Sequence, residues 1–181
     1  MPFLTKLLIV VGVLVVLTLI SGIRFIPNNR LGIVEKRFGR RSLKSGFIAL
    51  HGEAGYQPNV LRGGLHFLMP IQYRVHIAPL VTIAQGKIGY VFARDGEPLS
   101  AMQVLASNTT ANNFQDVTDF LTHGGQRGPQ RQILREGTYA INLAQFVVIT
   151  EERVYYLALS RDDQMVIESM TSVIKERKGF T

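Results

Sequence analysis

The sequence predicts an α+β protein: an N-terminal transmembrane helix followed by one mixed α/β domain. Three observations carry this. Leu7 to Ile23 is an uninterrupted charge-free run. Short β-branched and aromatic segments punctuated by glycine and proline follow it. Apolar residues at helical spacing close the chain.

The run LLIVVGVLVVLTLISGI has seventeen residues and spans roughly 26 Å as a helix, against a hydrocarbon core about 30 Å thick. Phe3, Leu4, Phe25 and Ile26 extend it, and Lys6 and Arg24 can snorkel to the two interfaces. Leu7, Ile9, Val13, Leu17, Ile20 and Ile23 are the expected anchor residues. A cleaved signal peptide would have a shorter apolar region and a small-x-small site, and nothing resembling Ala-x-Ala follows Ser21-Gly22. A buried core helix would carry more polar positions than Thr18 and Ser21. The expectation is an uncleaved single-span anchor over residues 1–28, a domain over 29–160, and the start of a C-terminal helix over 161–181.

The formal net charge of +7 is local. Residues 1–45 hold eight basic residues and one acid, Glu35, whereas the remainder balances twelve against twelve. A nucleic-acid-binding domain would spread its charge over a folded face, so no nucleic-acid partner is expected. Arg24, Arg30, Lys36, Arg37, Arg40, Arg41 and Lys44 form instead a juxtamembrane collar. Its excess over Lys6 alone on the other flank places the C-terminal domain in the cytoplasm, with the chain single-pass in the inner or plasma membrane. Two roles stand open for the collar: contact with anionic head groups, or merely setting topology and charging a strand edge. The chain has no cysteine, which excludes disulfides and thiolate chemistry. The Asn108-Thr109-Thr110 sequon matters only in a secretory lumen.

After the anchor, 30–38 and 46–51 read as strands, separated by a turn over 39–45, and 52–58 as a loop. Residues 65–68 and 73–77 are further strands around Pro70. Residues 81–84 and 87–93 flank Gln85-Gly86, a two-residue hairpin signal, and 95–98 end it. Asp116 should cap a small helix that puts Phe120-Leu121 inside and ends at Gly124-Gly125. Pro129 suits the first turn of a second helix reaching Leu143, with Ile133, Leu134, Tyr139 and Ile141 as its apolar side. Residues 146–150 and 154–159 form a hairpin across Glu151-Glu152-Arg153. Asp162 caps a closing helix over 163–178, whose Val166, Met170, Val173 and Ile174 make an apolar stripe. That stripe either packs on the chain's own sheet or mediates self-association.

Chemistry-bearing clusters are not expected. His51, His66, His76 and His123 stand alone, without metal-ligand spacing. The glycine-rich 124–128 segment could offer amides to an anion, with Arg127 and Arg131 assisting, but lacks the Lys-Ser/Thr of a phosphate loop. The adjacent carboxylates at 151/152 and 162/163 suit turns and caps rather than acid–base catalysis. Lys44-Ser45 has no supporting context for a dyad. No active site, cofactor or metal is expected.

Three blocks carry a family resemblance over 29–159. An apolar anchor leads into Leu31-Gly32-Ile33-Val34-Glu35-Lys36-Arg37-Phe38-Gly39. Leu61 to Pro70 reads LRGGLHFLMP, and Asn112 to Asn142 contains NNFQD, GGQRG and EGTYAIN. The chain resembles the SPFH domain (also called Band 7 or PHB), the shared module of stomatins, prohibitins and flotillins, and within it a subset of bacterial flotillin-like proteins. Gly63 stands where the family usually has proline. The resemblance implies a membrane scaffold that self-associates, continues into coiled coil, and organises lipids and partners such as membrane proteases and NfeD-type proteins. Ending at Thr181, the chain resembles an N-terminal portion. Two other functions stay open: an envelope-side ligand- or partner-binding domain, and the N-terminal part of a larger protein whose activity lies beyond Thr181.

Overall fold

The computed structural model describes residues 2–43, 45–107, 112–159, 171–172 and 176. An apolar helix, α1 (Pro2–Ser21), precedes a mostly β domain with some further helix, broadly α+β. At about 1.5 Å per residue the twenty residues of α1 reach about 30 Å. It is the one helix among the described residues long and apolar enough to cross a membrane, with mean hydropathy 2.8 over Phe3–Ser21. The two hydroxyls near its C-terminal end bond within the helix, Thr18 Oγ1 to Leu14 O at 2.8 Å and Ser21 Oγ to Thr18 O at 2.8 Å. No polar side chain of that last turn therefore requires water.

Two antiparallel units follow directly. β1 (Ile23–Ile26) pairs with β4 (Gly64–Phe67) as a ribbon. β2 (Arg30–Lys36) is the central strand of a three-stranded sheet between β3 (Gly55–Leu61) and β5 (Tyr73–Pro79). Ile26 docks the ribbon onto that sheet: it is fully buried, and its Cδ1 occupies the space a side chain at Gly32 would need.

The second half builds around β10 (Phe146–Ile149), which pairs with β7 (Tyr90–Ala93) and β11 (Val154–Tyr155). All four β10 residues are buried, because both faces of the strand are covered. Phe146 and Val148 join the main core with Leu31, Ile33, Val81 and Phe120; Val147 and Ile149 meet Phe92 and Val154. α2 (Val117–Thr122) has the expected cap: Asp116 Oδ1 accepts the Asp119 N–H at 2.9 Å. Gly124, at φ +76°, turns the chain so that the Gly125 N–H returns to Phe120 O at 2.8 Å. Phe146 packs edge to face against Phe114 and Phe120, which are tilted to each other, with centroids 5.0–6.3 Å apart. Phe114 reaches this cluster at φ +62°, a costly backbone state for a bulky residue that its burial offsets.

Several expected elements differ. α1 stops at Ser21, so Ile23 is a strand residue and not part of the span. The strand expected over 46–51 is irregular, because its amides are claimed individually: Asp95 Oδ2 accepts from Phe47 N at 3.0 Å and Ile48 N at 3.4 Å, and Tyr56 O accepts from Ala49 N at 2.8 Å. The loop expected over 52–58 contains most of β3, an edge strand, where Pro58 is tolerated without a ladder N–H. The turn at Gly86 forms, but the strands beside it diverge: β6 (Val81–Ile83) pairs with β9 (Gly137–Tyr139), while β7 pairs with β10 and with β8 (Gly128–Pro129). The helix expected from Pro129 to Leu143 is replaced by these edge pairings, including reciprocal bonds between Gly89 and Leu134 at 2.8 and 2.9 Å. Strand edges of β6 and β7 outcompeted a helical pattern that Gly137 already weakened. The hairpin across 151–153 is present as β10–β11. The closing-helix residues Val166, Met170, Val173 and Ile174, and the 108–110 sequon, lie outside the described residues.

Truncating the central ring of the aromatic cluster, Phe120→Ala, should lower unfolding free energy by about 3–5 kcal/mol, measured as a drop in the urea midpoint at unchanged slope. Asp95→Ala should cost about 1.5–3 kcal/mol through its lost charge-assisted bonds to the 46–48 segment.

Candidate functional site

The helix passes into the domain through a single residue. Gly22 N donates to Leu19 O at 3.0 Å, ending α1, and Gly22 O accepts from Leu68 N at 3.0 Å, opening the ribbon. A Cβ on Gly22 would lie 2.7 Å from Leu68 O and 2.9 Å from the Phe67 ring. Only glycine allows this approach of helix end to β4. The ribbon is therefore fixed at the end of the apolar helix.

That ribbon has its polarity inverted. Register places Ile23 opposite Phe67, Arg24 opposite His66, and Phe25 opposite Leu65. Because side chains alternate along a strand, Ile23, Phe25, Leu65 and Phe67 share one face, and Arg24, Ile26 and His66 the other. The apolar face points outward: Phe25 is 68% exposed, Leu65 71% and Phe67 58%. The inner face carries Ile26, which is buried, and His66, whose Nε2 lies 2.7 Å from Arg62 O. A water-facing ribbon would show the opposite pattern. Beyond β4 the turn at 69–72 adds exposed Met69 and Ile71, held by Gln72 N and Tyr73 N bonding to Met69 O at 3.1 and 2.9 Å.

The basic collar does not act as one unit. Arg24 lies in the ribbon, and Arg30 opens β2 opposite Pro79, at the far end of that strand from Lys36. Lys36 Nζ donates to Gly52 O at 2.6 Å, and Arg37 N to Gln72 O at 2.8 Å. Lys36, Arg40 and Arg41 line an open cleft of about 720 Å³ together with His51 and Gln72. Lys44 lies outside the described residues. A second cleft of about 670 Å³ adjoins the first, sharing Arg40, Arg41 and His51 but adding Glu53. Backbone N–H groups of Glu53 itself and of His51 hold the Glu53 carboxyl below its usual range, so it is a fixed negative charge.

The remaining histidines are engaged locally. His76 Nε2 sits 2.6 Å from Glu35 Oε2 across the β2–β5 pair, and His123 Nδ1 2.9 Å from Asp119 Oδ1. Among the described residues no group of three His, Asp or Glu side chains could hold a metal. The glycine-rich 124–128 segment serves as the α2 terminus and as β8, not as the start of a helix.

Sequence reasoning missed the ribbon face, His51 and Gln72. The signal for the ribbon was present as alternation in IRFI and LHF, obscured because Ile23, Phe25 and Ile26 read as a tail of the span. No signal linked His51 or Gln72 to the collar, since their proximity depends on β2–β5 pairing. No protein-family model matches the chain, and comparison with curated proteins and with solved structures finds no match.

Gly22→Val should break the joint. Overpacking of this kind costs about 1–3 kcal/mol, and the specific sign is faster hydrogen exchange at the Leu68 amide in detergent micelles, with protection at Val148 unchanged.

Proposed function

We propose that this chain is a membrane-anchored scaffold: α1 spans the bilayer, the domain rests on the leaflet at the C-terminal end of α1, and copies self-associate to organise lipids and partner membrane proteins. The observation that carries this reading is the outward apolar face of the β1–β4 ribbon, joined to α1 through Gly22 alone. An apolar face at the mouth of a spanning helix finds its apolar medium in the acyl–headgroup boundary. The basic excess after α1 assigns that leaflet to the cytoplasm.

The resemblance to the SPFH domain supports the same reading, and we propose membership of that family. Its opening block falls on β2, and its 61–70 block on β4 and the 69–72 turn. Both blocks lie beside the membrane-proximal joint. On this reading the working parts are surfaces rather than a catalytic constellation, and the 166–174 stripe supplies the contact between copies.

The absence of cysteine makes single-site labelling clean. In reconstituted vesicles, an environment-sensitive dye on Leu65→Cys should emit at short wavelength and be quenched by lipid-borne quenchers, whereas one on Glu152→Cys should behave as in water. Aqueous emission from both sites would remove the leaflet contact. For assembly, the protein purified from its own membranes in mild detergent should run as a large homo-oligomer by native mass spectrometry. Met170→Glu should shift it toward monomer without altering the thermal melt. A strictly monomeric wild type would refute the scaffold.

A further inference from the structure

We propose that the cleft formed by Lys36, Arg40, Arg41, His51 and Gln72 binds the phosphate head group of an anionic lipid in the leaflet that receives the ribbon. This deepens the scaffold reading and takes from it the source of the ligand; the chemistry of the cleft stands on its own.

Lys36, Arg40, Arg41 and His51 line one concave space, and no carboxylate lines it. Coulomb repulsion among such groups is costly without an anion between them. Among the described residues, no carboxylate forms an ion pair with the guanidinium of Arg40 or of Arg41. Glu53 lines the neighbouring cleft: its Oε2 accepts the His51 N–H at 2.8 Å, its Oε1 lies 3.9 Å from His51 Nδ1, and the Arg41 charge acts on it, so this one carboxylate offsets only part of the positive charge around the cleft. Two guanidinium forks beside an ammonium suit a tetrahedral, multiply charged phosphate, which accepts bidentate bonds from each fork.

The position of the cleft selects a lipid. Gln72 on its wall follows Ile71, which is 69% exposed, in the turn that β4 enters directly from the joint at Gly22. The Arg37 N–H to Gln72 O bond at 2.8 Å ties the collar to that turn. Met69 and Ile71 can thus meet acyl chains while the cations a residue away meet phosphates. Arg24 and Arg30 are placed elsewhere, so the collar comprises one built site and separate surface charges.

The test uses the full chain in nanodiscs, with a fluorophore on Ser42→Cys in the adjoining cleft. Phosphatidic acid added to phosphatidylcholine discs should give a saturable signal, and native mass spectrometry should detect retained phosphatidic acid. Arg40→Gln with Arg41→Gln should weaken binding at least tenfold, in line with the loss of two near-surface cations, at an unchanged melting temperature. Arg131→Gln with Arg135→Gln, two exposed arginines outside the cleft, removes equal charge and should change binding less than twofold. Equal weakening by the two pairs would reduce the effect to net charge and overturn the site. Saturation by inorganic phosphate in pure phosphatidylcholine discs, with no added response to phosphatidic acid, would overturn the lipid assignment. Neither signal nor retained lipid, with the Leu65 dye still buried in lipid, would overturn the cleft while leaving the leaflet contact intact.

Discussion

The geometry of this molecule depends on one constraint, the close approach of backbone to backbone at Gly22. The residue closes the helix by its N–H and opens the ribbon by its carbonyl, with bonds of 3.0 Å on each side. No linker intervenes, so the domain cannot tumble freely below the end of α1. Everything placed by β4 inherits this position: the apolar ribbon face, the Met69–Ile71 turn, and through Gln72 the edge of the cationic cleft. A flexible tether of ten residues would leave the same surfaces with no fixed relation to the helix end.

Away from the joint, a few polar ties supplement the apolar core between small sheets, none larger than four strands among the described residues. Tyr155 on β11 reaches across to β6, its hydroxyl accepting from Thr82 N at 3.2 Å and donating to Thr82 O at 3.1 Å. Asn142, almost fully buried, donates to Gln57 O and Pro58 O on β3 and accepts from Ala144 N. Each tie satisfies backbone groups that a short, edge-rich strand cannot pair for itself. Among the described strands only β2, β7 and β10 have a partner on both sides, so these ties supplement short ladders.

How much of this was legible in the sequence divides along local and non-local lines. The apolar helix, the Asp116 cap, the Gly124 terminus and the β10–β11 hairpin are encoded within a few residues, and all are present. What failed were segments whose partners lie far away. Gly137 to Tyr139 carries no mark of its pairing with β6, and the Phe47 and Ile48 amides none of their bonds to Asp95. The candidate site fell between these cases. Its seven basic positions were visible as a cluster in sequence, but among the six that are described the fold brings Lys36, Arg40 and Arg41 to the cleft, with His51 and Gln72 from other segments. The ribbon face was hidden by proximity to the span, because a strand of alternating apolar residues looks like helix when it follows one.

On the proposed reading, the joint also sets how strong a leaflet contact must be. A free domain binding a bilayer must overcome the loss of translational and rotational freedom, estimated at 4 kcal/mol or more at a 1 M standard state. A domain already held by a spanning helix meets the surface as an intramolecular event at high effective concentration. A net gain of about 2 kcal/mol then favours the docked state roughly thirtyfold. Fully burying one large apolar side chain is worth about 1.5–3 kcal/mol, and the ribbon presents four, already partly covered by the domain. Modest insertion of this face is therefore sufficient, and there is no need for the long amphipathic helix on which untethered membrane-binding proteins rely. On that reading the cationic cleft is free to discriminate among head groups, because α1 would supply affinity for the membrane and Gly22 orientation.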